Sequence, residues 1–476
     1  MNPIKKLAGQ TAIYGLSSVI GRLLNYLLVP LYTRYFLPEE YGLVTEMYAY
    51  VAFLVVILTY GIETAFFRFS NKENNNKKVY STALISLVFS SSFSMLLMFS
   101  GSSLIANFLG AGIESRFIEW FAIIVGLDAI SSIAFAKLRE EENAIRFATI
   151  KLLAIITNIG LNIFFIVYKG YGLEIFGASC SGGIEYIFIA NLISSIVTIV
   201  LLSPKMLKIE FVFDRIIWRK MMIYALPLLF AGLAGMVNET IDRILLKHLL
   251  PNSATAQHEL GLYGAFYKLS IIMVLFIQTF RFAAEPFFFA QYKQKDDRKV
   301  YADVMKYFVI IMMVIFLTAT IFYDFIIGFL GSAYHDERGF LVVSILLLAN
   351  LFLGIFFNLS IWYKLTEKTI FGAYLSIIGA VITILLNVIL IPKMGFVGSA
   401  WATLVCYFSM VSASYFFGKK YFPIPYQIGK IFLYLVSMLG IYLLVYNQYF
   451  NLMINSLLLL GFIIFVYLLE KPKPTA

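Results

Sequence analysis

Runs of about 20 largely apolar residues recur along the chain, broken only by short polar or Gly/Pro-bearing segments, and each run is the length a helix needs to cross a bilayer. The sequence therefore predicts an all-α polytopic membrane protein with about fourteen transmembrane helices. The expected spans are Gln10 to Tyr35, Tyr41 to Phe66, Val79 to Gly101, Arg116 to Ala136, Ala144 to Tyr168, Ile184 to Leu202 and Met221 to Leu249. They continue as Leu262 to Phe289, Tyr301 to Leu330, Phe340 to Trp362, Thr369 to Ile391, Gly398 to Phe417, Gln427 to Tyr446 and Asn451 to Leu469.

Composition agrees with a chain solvated by lipid. Hydrophobic residues make up 61% and charged residues 13%, against about 25% charged in soluble domains. Phe and Tyr are abundant, as expected of helices with lipid-facing sides and headgroup-level ends. A net charge of +10 does not signal nucleic acid, because no long basic run, zinc-ligand spacing or soluble domain accompanies it. Cys180 and Cys406 both lie in or near apolar stretches, which argues against a disulfide framework or a thiolate metal site. After Lys5 and Lys6 comes an apolar segment too long for a signal-peptide core and without a small-residue cleavage site, so it reads as a first helix that is retained.

Positive charge fixes the expected orientation, because loops rich in Lys and Arg stay in the cytoplasm. With the N-terminus inside, most of the 37 basic residues fall on the cytoplasmic side. Those at the outer ends are Arg34, Arg116, Lys169, Lys247, Arg338 and Lys393, while Arg22, Arg243, Lys268 and Arg281 fall inside predicted helices. Both termini are expected in the cytoplasm.

The two parts of the chain resemble each other. Asn25, Arg34, Leu37-Pro38 and Tyr41-Gly42 recur in order as Asn238, Lys247, Leu250-Pro251 and Tyr263-Gly264. Glu63 followed by Phe66-Phe67 recurs as Glu285 followed by Phe288-Phe289, and Asn162 with YKGYGLEIFGAS recurs as Asn387 with IPKMGFVGSA. Two halves of about six helices each follow; an even number makes the repeat parallel. The expected organisation is an N-terminal half over 1–203, a cytoplasmic linker over 204–220, a second half over 221–418, and two further helices with a tail over 419–476. The linker alternates apolar and basic residues, which suits a short interfacial helix and equally a solvated connector.

This layout resembles the multidrug/oligosaccharidyl-lipid/polysaccharide exporter superfamily, which includes the MATE transporters and the lipid II flippase. Four stretches narrow the likeness: GLSSVIGRLLNYLLVPLYTRYFLPEEYGLV, GIETAFFRF, KLREEENAIRF and LLNVILIPKMGFVGSAWAT. They resemble the polysaccharide flippases, the Wzx-type exporters of O-antigen and capsule units. Membership would imply a non-enzymatic carrier of an undecaprenyl-pyrophosphate-linked oligosaccharide. It would work by alternating access in the bacterial inner membrane, beside the polysaccharide polymerase machinery, without a cofactor and with coupling to H+ or Na+.

A charge at mid-bilayer costs roughly 2.5–3.5 kcal/mol even on lenient insertion scales, so such residues face a cavity or a partner. Arg22, Arg243, Lys268 and Arg281 all lie on the first two helices of their halves, where they can converge on a central cavity. Cations there can replace the hydration of a pyrophosphate, Arg as a bidentate fork and Lys as a point charge. Asn25 and Asn238, with Gln278, Tyr26 and Tyr267, offer hydrogen-bonding and stacking faces for sugars. Against this stands local neutralisation, since Glu239 precedes Arg243 and Arg281 precedes Glu285 by one helical turn. Glu46, Glu63, Asp128, Asp242 and Glu285 are the candidates for carrying a coupling proton or cation; for the repeat-matched Glu63 and Glu285 a shared structural role competes. Pro30, Pro227, Gly232, Gly235 and Pro286 mark points where helices can hinge or kink. A drug exporter on this fold is expected to carry an acidic, aromatic cavity, while a lipid II flippase needs the same cations. A polymerase or ligase needs catalytic groups in a large outer loop, and His248, His258 and His335 have no acid–base cluster around them in the sequence.

Overall fold

The computed structural model describes residues 15, 17, 19–70, 76–110, 112–167, 183–207, 211–294 and 298–471. The start of the first expected span, Lys5 and Lys6, Lys169, Cys180 and the side chain of Pro286 lie outside the described residues. The structure is all-helical, and its described residues include 13 helices long and apolar enough to cross a membrane. These 13 coincide with every expected span but the first, of which residues 19–26 and Leu28–Tyr35 are helical. The chain divides into two compact units, Met1–Gly264 and Ala265–Ala476.

The first unit holds α1 (Leu28–Tyr35), α2 (Pro38–Thr59), α3 (Ile62–Ser70), α4 (Asn76–Ser100), α5 (Ser102–Leu109), α6 (Ser115–Glu140), α7 (Ala144–Val167), α8 (Glu185–Met206) and α9 (Arg215–Leu249), and α10 (Ser253–Leu269) begins in it. Pro38 opens α2 at a position that needs no amide donor, and Glu40 reaches back to accept from the Leu37 amide at 2.8 Å. One expected span is in fact two helices, because Tyr60 (φ 33) and Gly61 (φ 70) turn left-handed between α2 and α3. A Cβ on Gly61 would lie 3.0 Å from the Ala225 carbonyl oxygen, so the bend and the close approach of α9 both require glycine there.

Helix α6 is the hub of this unit. It buries residues from Phe117 to Leu138 on all faces and packs against α4 and α8, and α7 closes on α8. Near its N-terminal end Phe188 meets Phe117, Phe121 and Tyr48 edge to face, and Tyr48 meets Phe121 in the same way. Helix α9 continues through Pro227, Gly232 and Gly235 without a break, and its 35 residues give about 50 Å, more than the hydrocarbon core requires. Residues 211–214 carry no helix, Val212 and Asp214 are held by the hydroxyls of Ser81 and Thr82, and the basic stretch from Arg215 is the first turn of α9, capped by Asp214.

The second unit continues with α11 (Ile271–Gln294), α12 (Arg298–Ile321), α13 (Tyr323–Ile327), α14 (Gly339–Leu359), α15 (Ile361–Leu365), α16 (Ile370–Met394), α17 (Phe396–Tyr421), α18 (Ile428–Tyr446) and α19 (Leu452–Glu470). Helix α17 packs against both α14 and α16, and α12 against α14. The Phe308 ring packs directly over Gly354, where an added methyl would meet it at 2.6 Å. The last two helices dock on α12 through charge: Glu470 accepts from Lys306 at 2.6 Å, Lys430 at 2.9 Å and the Tyr434 hydroxyl at 2.6 Å. In both units the outward faces keep large apolar side chains exposed, Phe89 and Phe108 in the first and Phe325 and Phe432 in the second, as a lipid-solvated surface requires.

Candidate functional site

Two groups of charged residues in the first unit contain expected site residues. In the first group, Gly21 lets the opening helix approach α7, where a Cβ would meet the Ile155 side chain at 2.6 Å. That approach brings Arg22 to the helix bearing Lys151. Lys151 is half-buried, lies 4.4 Å over the Phe135 ring and interacts electrostatically with Asp128, Arg139, Glu63 and Arg22. Asp128 accepts from the Ser195 hydroxyl at 2.9 Å. Arg139 pairs with Glu63 and covers Phe67 at 5.2 Å. Arg22 and Asn25 are themselves exposed on their helix. Among the described residues the group thus holds three basic side chains against two carboxylates, an excess of positive charge.

The second group lies where α2 meets the end of α9 and α10. Glu46 is fully buried; Gln257 Nε2 donates to it at 2.6 Å, the Tyr50 hydroxyl at 3.3 Å, and Lys247 Nζ lies 3.5 Å away. Tyr50 also contacts His248 Nε2 at 3.1 Å. A turn earlier on α9, the buried Asp242 accepts from the Tyr263 hydroxyl at 2.6 Å and from the Arg243 amide at 2.9 Å. Arg243 Nη1 donates to the Glu239 carbonyl at 3.1 Å, so the neighbouring Glu239 engages it through the backbone. Asn238 is buried on the same helix.

In the second unit, Arg281 packs 4.0 Å over the Phe357 ring, and its Nε lies 3.4 Å from Glu285. Lys364 meets the same Glu285 oxygen at 2.7 Å, so two cations share one carboxylate. Lys268 and Gln278 are half-buried on α10 and α11.

The expected site residues therefore fall into separate sets. Arg22, Glu63 and Asp128 belong together, Glu46 keeps company with Lys247 and Gln257, Asp242 pairs with Tyr263, and Arg281 shares Glu285 with Lys364. Sequence analysis overlooked Lys151, Arg139, Lys247 and Lys364 as site members because they stand near predicted helix ends, where basic residues read as loop charges. Their burial was readable only in part: Lys151 falls seven residues inside an apolar run. Among the described residues no cluster of His, Cys, Asp and Glu could hold a metal ion.

Comparison with known proteins places this geometry. No curated protein matches the chain. Among solved structures it is similar to the lipid II flippase MurJ in an inward closed conformation, with a TM-score of 0.71 and 17% identity over 96% of this chain and 98% of that one. An inward-facing multidrug resistance transporter of the MATE family gives a TM-score of 0.69 at 14% identity, covering 87% and 97% of the two chains. A MOP superfamily transporter from Pyrococcus furiosus, described as having a binding pocket of reversed polarity, gives 0.57 at 15% identity over 88% and 96%. These likenesses establish the fold. The family model for polysaccharide biosynthesis proteins matches residues 7–290. The chain, a multi-pass membrane protein with the fold shared by MurJ and the MATE transporters, thus belongs to the polysaccharide biosynthesis protein family.

Proposed function

We propose that the protein is a flippase that moves an undecaprenyl-pyrophosphate-linked oligosaccharide unit across the bacterial inner membrane by alternating access, with both termini in the cytoplasm. The observation that carries this proposal is the close approach of the helix bearing Arg22 to the helix bearing Lys151 at Gly21 and Ile155, with Arg139 in the same electrostatic neighbourhood. An exposed guanidinium on a membrane helix is costly unless it meets water or an anion. A pyrophosphate supplies concentrated negative charge, and these side chains supply a bidentate fork and a mobile point charge to replace its lost hydration. Asn25, one turn beyond Arg22, suits the first sugar. In the second unit Arg281 and Lys364 share one carboxylate, which leaves a positive charge available to an anion. The other proposed members are Arg243 and Asn238 in the first unit and Lys268 in the second. Asp128 is the group proposed to couple transport to an H+ or Na+ gradient, and the polymerase machinery is the proposed recipient of the product.

Arg22→Ala and Lys151→Ala should each abolish surface polysaccharide while the protein stays inserted and abundant, and Arg22→Lys and Lys151→Arg should retain part of it. Normal polysaccharide in both alanine variants would remove the headgroup-binding proposal. If the chain instead restores growth to cells depleted of their lipid II flippase, the same cations serve lipid II. If it lowers the accumulation of cationic drugs, the anionic substrate class is wrong.

A further inference from the structure

The second charged group of the first unit has chemistry that anion carriage does not use. Glu46 and Lys247 are a buried ion pair, with side chains 0% and 5% exposed. The pair is incompletely satisfied: Lys247 Nζ and Gln257 Oε1 are buried and have no hydrogen-bond partner among the described residues. The ammonium is held by the field of one carboxylate, in surroundings where water does not screen it. The helices joined here touch without side chains between them. A Cβ on Gly42 would overlap the Gln257 carbonyl, one on Gly261 would overlap the Pro38 carbonyl, and one on Gly264 would lie 2.5 Å from Thr45 Oγ1. Glu39 and His258 close the rim at 2.8 Å. This is the end of the spans that the distribution of Lys and Arg assigns to the outside.

We propose that Glu46 and Lys247 form a proton-released latch that closes α2 onto α9 and α10 at the outer end of the protein. While Glu46 is ionised, it neutralises Lys247 and the glycine-lined crossing stays shut. When Glu46 takes up a proton, the ammonium is left buried without a counter-charge, and the closed arrangement loses the interaction that compensates its desolvation. Parting of the helices returns Lys247 to water. Other titratable groups face the pair: Tyr50 from α2 and, through it, His248 from α9, while Glu39 and His258 form the rim and Glu259 and Asp242 are buried on α10 and α9. Because these groups lie close by, His248 and His258 have to be separated from Glu46 in the test. The latch is independent of which lipid-linked molecule the protein carries.

The test is the rate at which a membrane-impermeant maleimide labels Thr45→Cys in the full chain, in membranes, with Cys180→Ser and Cys406→Ser. Labelling should be slow near pH 8 and at least about tenfold faster near pH 5. Glu46→Gln should label fast at both pH values. The double variant Glu46→Gln/Lys247→Met should be slow at both, because neither charge is left to be compensated. The proposal is overturned if Glu46→Gln keeps the parent's slow rate and pH response, or if the double variant labels as fast as Glu46→Gln, which would mean disrupted packing. It is equally overturned if His248→Gln or His258→Gln abolishes the pH response while Glu46→Gln does not, or if labelling follows sodium concentration at fixed pH and ignores pH.

Discussion

Lys364 holds the Glu285 carboxylate at 2.7 Å in the second unit, and Arg139 holds Glu63 in the same way in the first. The likeness extends to the backbone. Arg139 and Lys364 each stand three residues before a left-handed turn residue, Glu142 (φ 55) and Glu367 (φ 59). The repeat seen in the sequence at Glu63 and Glu285 therefore recurs as matching ion pairs at matching helix ends. Since the side chains of Glu285 and Lys364 are 39% and 25% exposed, the pair should contribute about 1 kcal/mol or less. Glu285→Lys and Lys364→Glu should each lower the thermal midpoint by a few degrees, and the two together should recover most of the loss. A double variant no better than the worse single one would show that the pair has no structural role.

Asp128 lies within an electrostatic neighbourhood of cations, whereas Glu63 is tied to Arg139. Asp128→Asn should abolish the response of transport to an imposed H+ or Na+ gradient, measured with membrane vesicles, and lower its rate about tenfold, about 1.4 kcal/mol. Glu63→Gln should change stability and leave the gradient response in place. An unchanged gradient response in Asp128→Asn would exclude it as the coupling group.

Gly261→Ala puts a methyl group into the Pro38 carbonyl. Relief requires backbone movement, and overpacking of this kind costs roughly 1–3 kcal/mol. The variant should show a lower thermal midpoint and faster maleimide labelling at Thr45→Cys. Gly235→Ala, which meets nothing within 4 Å, should behave like the parent protein. Equal behaviour of the two variants would mean that the α2–α10 crossing is not a close-packed contact.

Glu470 is the acceptor on which Lys306, Lys430 and Tyr434 converge, and Lys306 is only 4% exposed. Glu470→Gln should leave that ammonium with Asp303 at 3.3 Å as its carboxylate partner. Breaking a buried pair outright costs roughly 3–5 kcal/mol, and the remaining acid should keep the loss at or below the lower end. Limited proteolysis should then cut between α17 and α18 faster than in the parent, while cleavage elsewhere stays unchanged.

The sequence by itself determined that this chain lives in a membrane and where its helices run, and its charges gave the expected division of basic residues between the two sides. Those properties follow from apolar length and from charge counted along the chain, which are local quantities. It also exposed the repeat through Glu63 and Glu285. Which charges meet was decided by the tertiary structure alone. Within one helix, spacing identifies partners only one turn apart, as for Arg281 and Glu285. Lys247 with Glu46 and Lys306 with Glu470 come from helices far apart in the chain, and Lys151 with Asp128 from neighbouring ones, all joined by packing that no periodicity records. The same holds for the left-handed break at Tyr60 and Gly61 and for the glycines of the α2–α10 crossing. Their role depends on how closely another backbone approaches, a distance set only once the helices are packed.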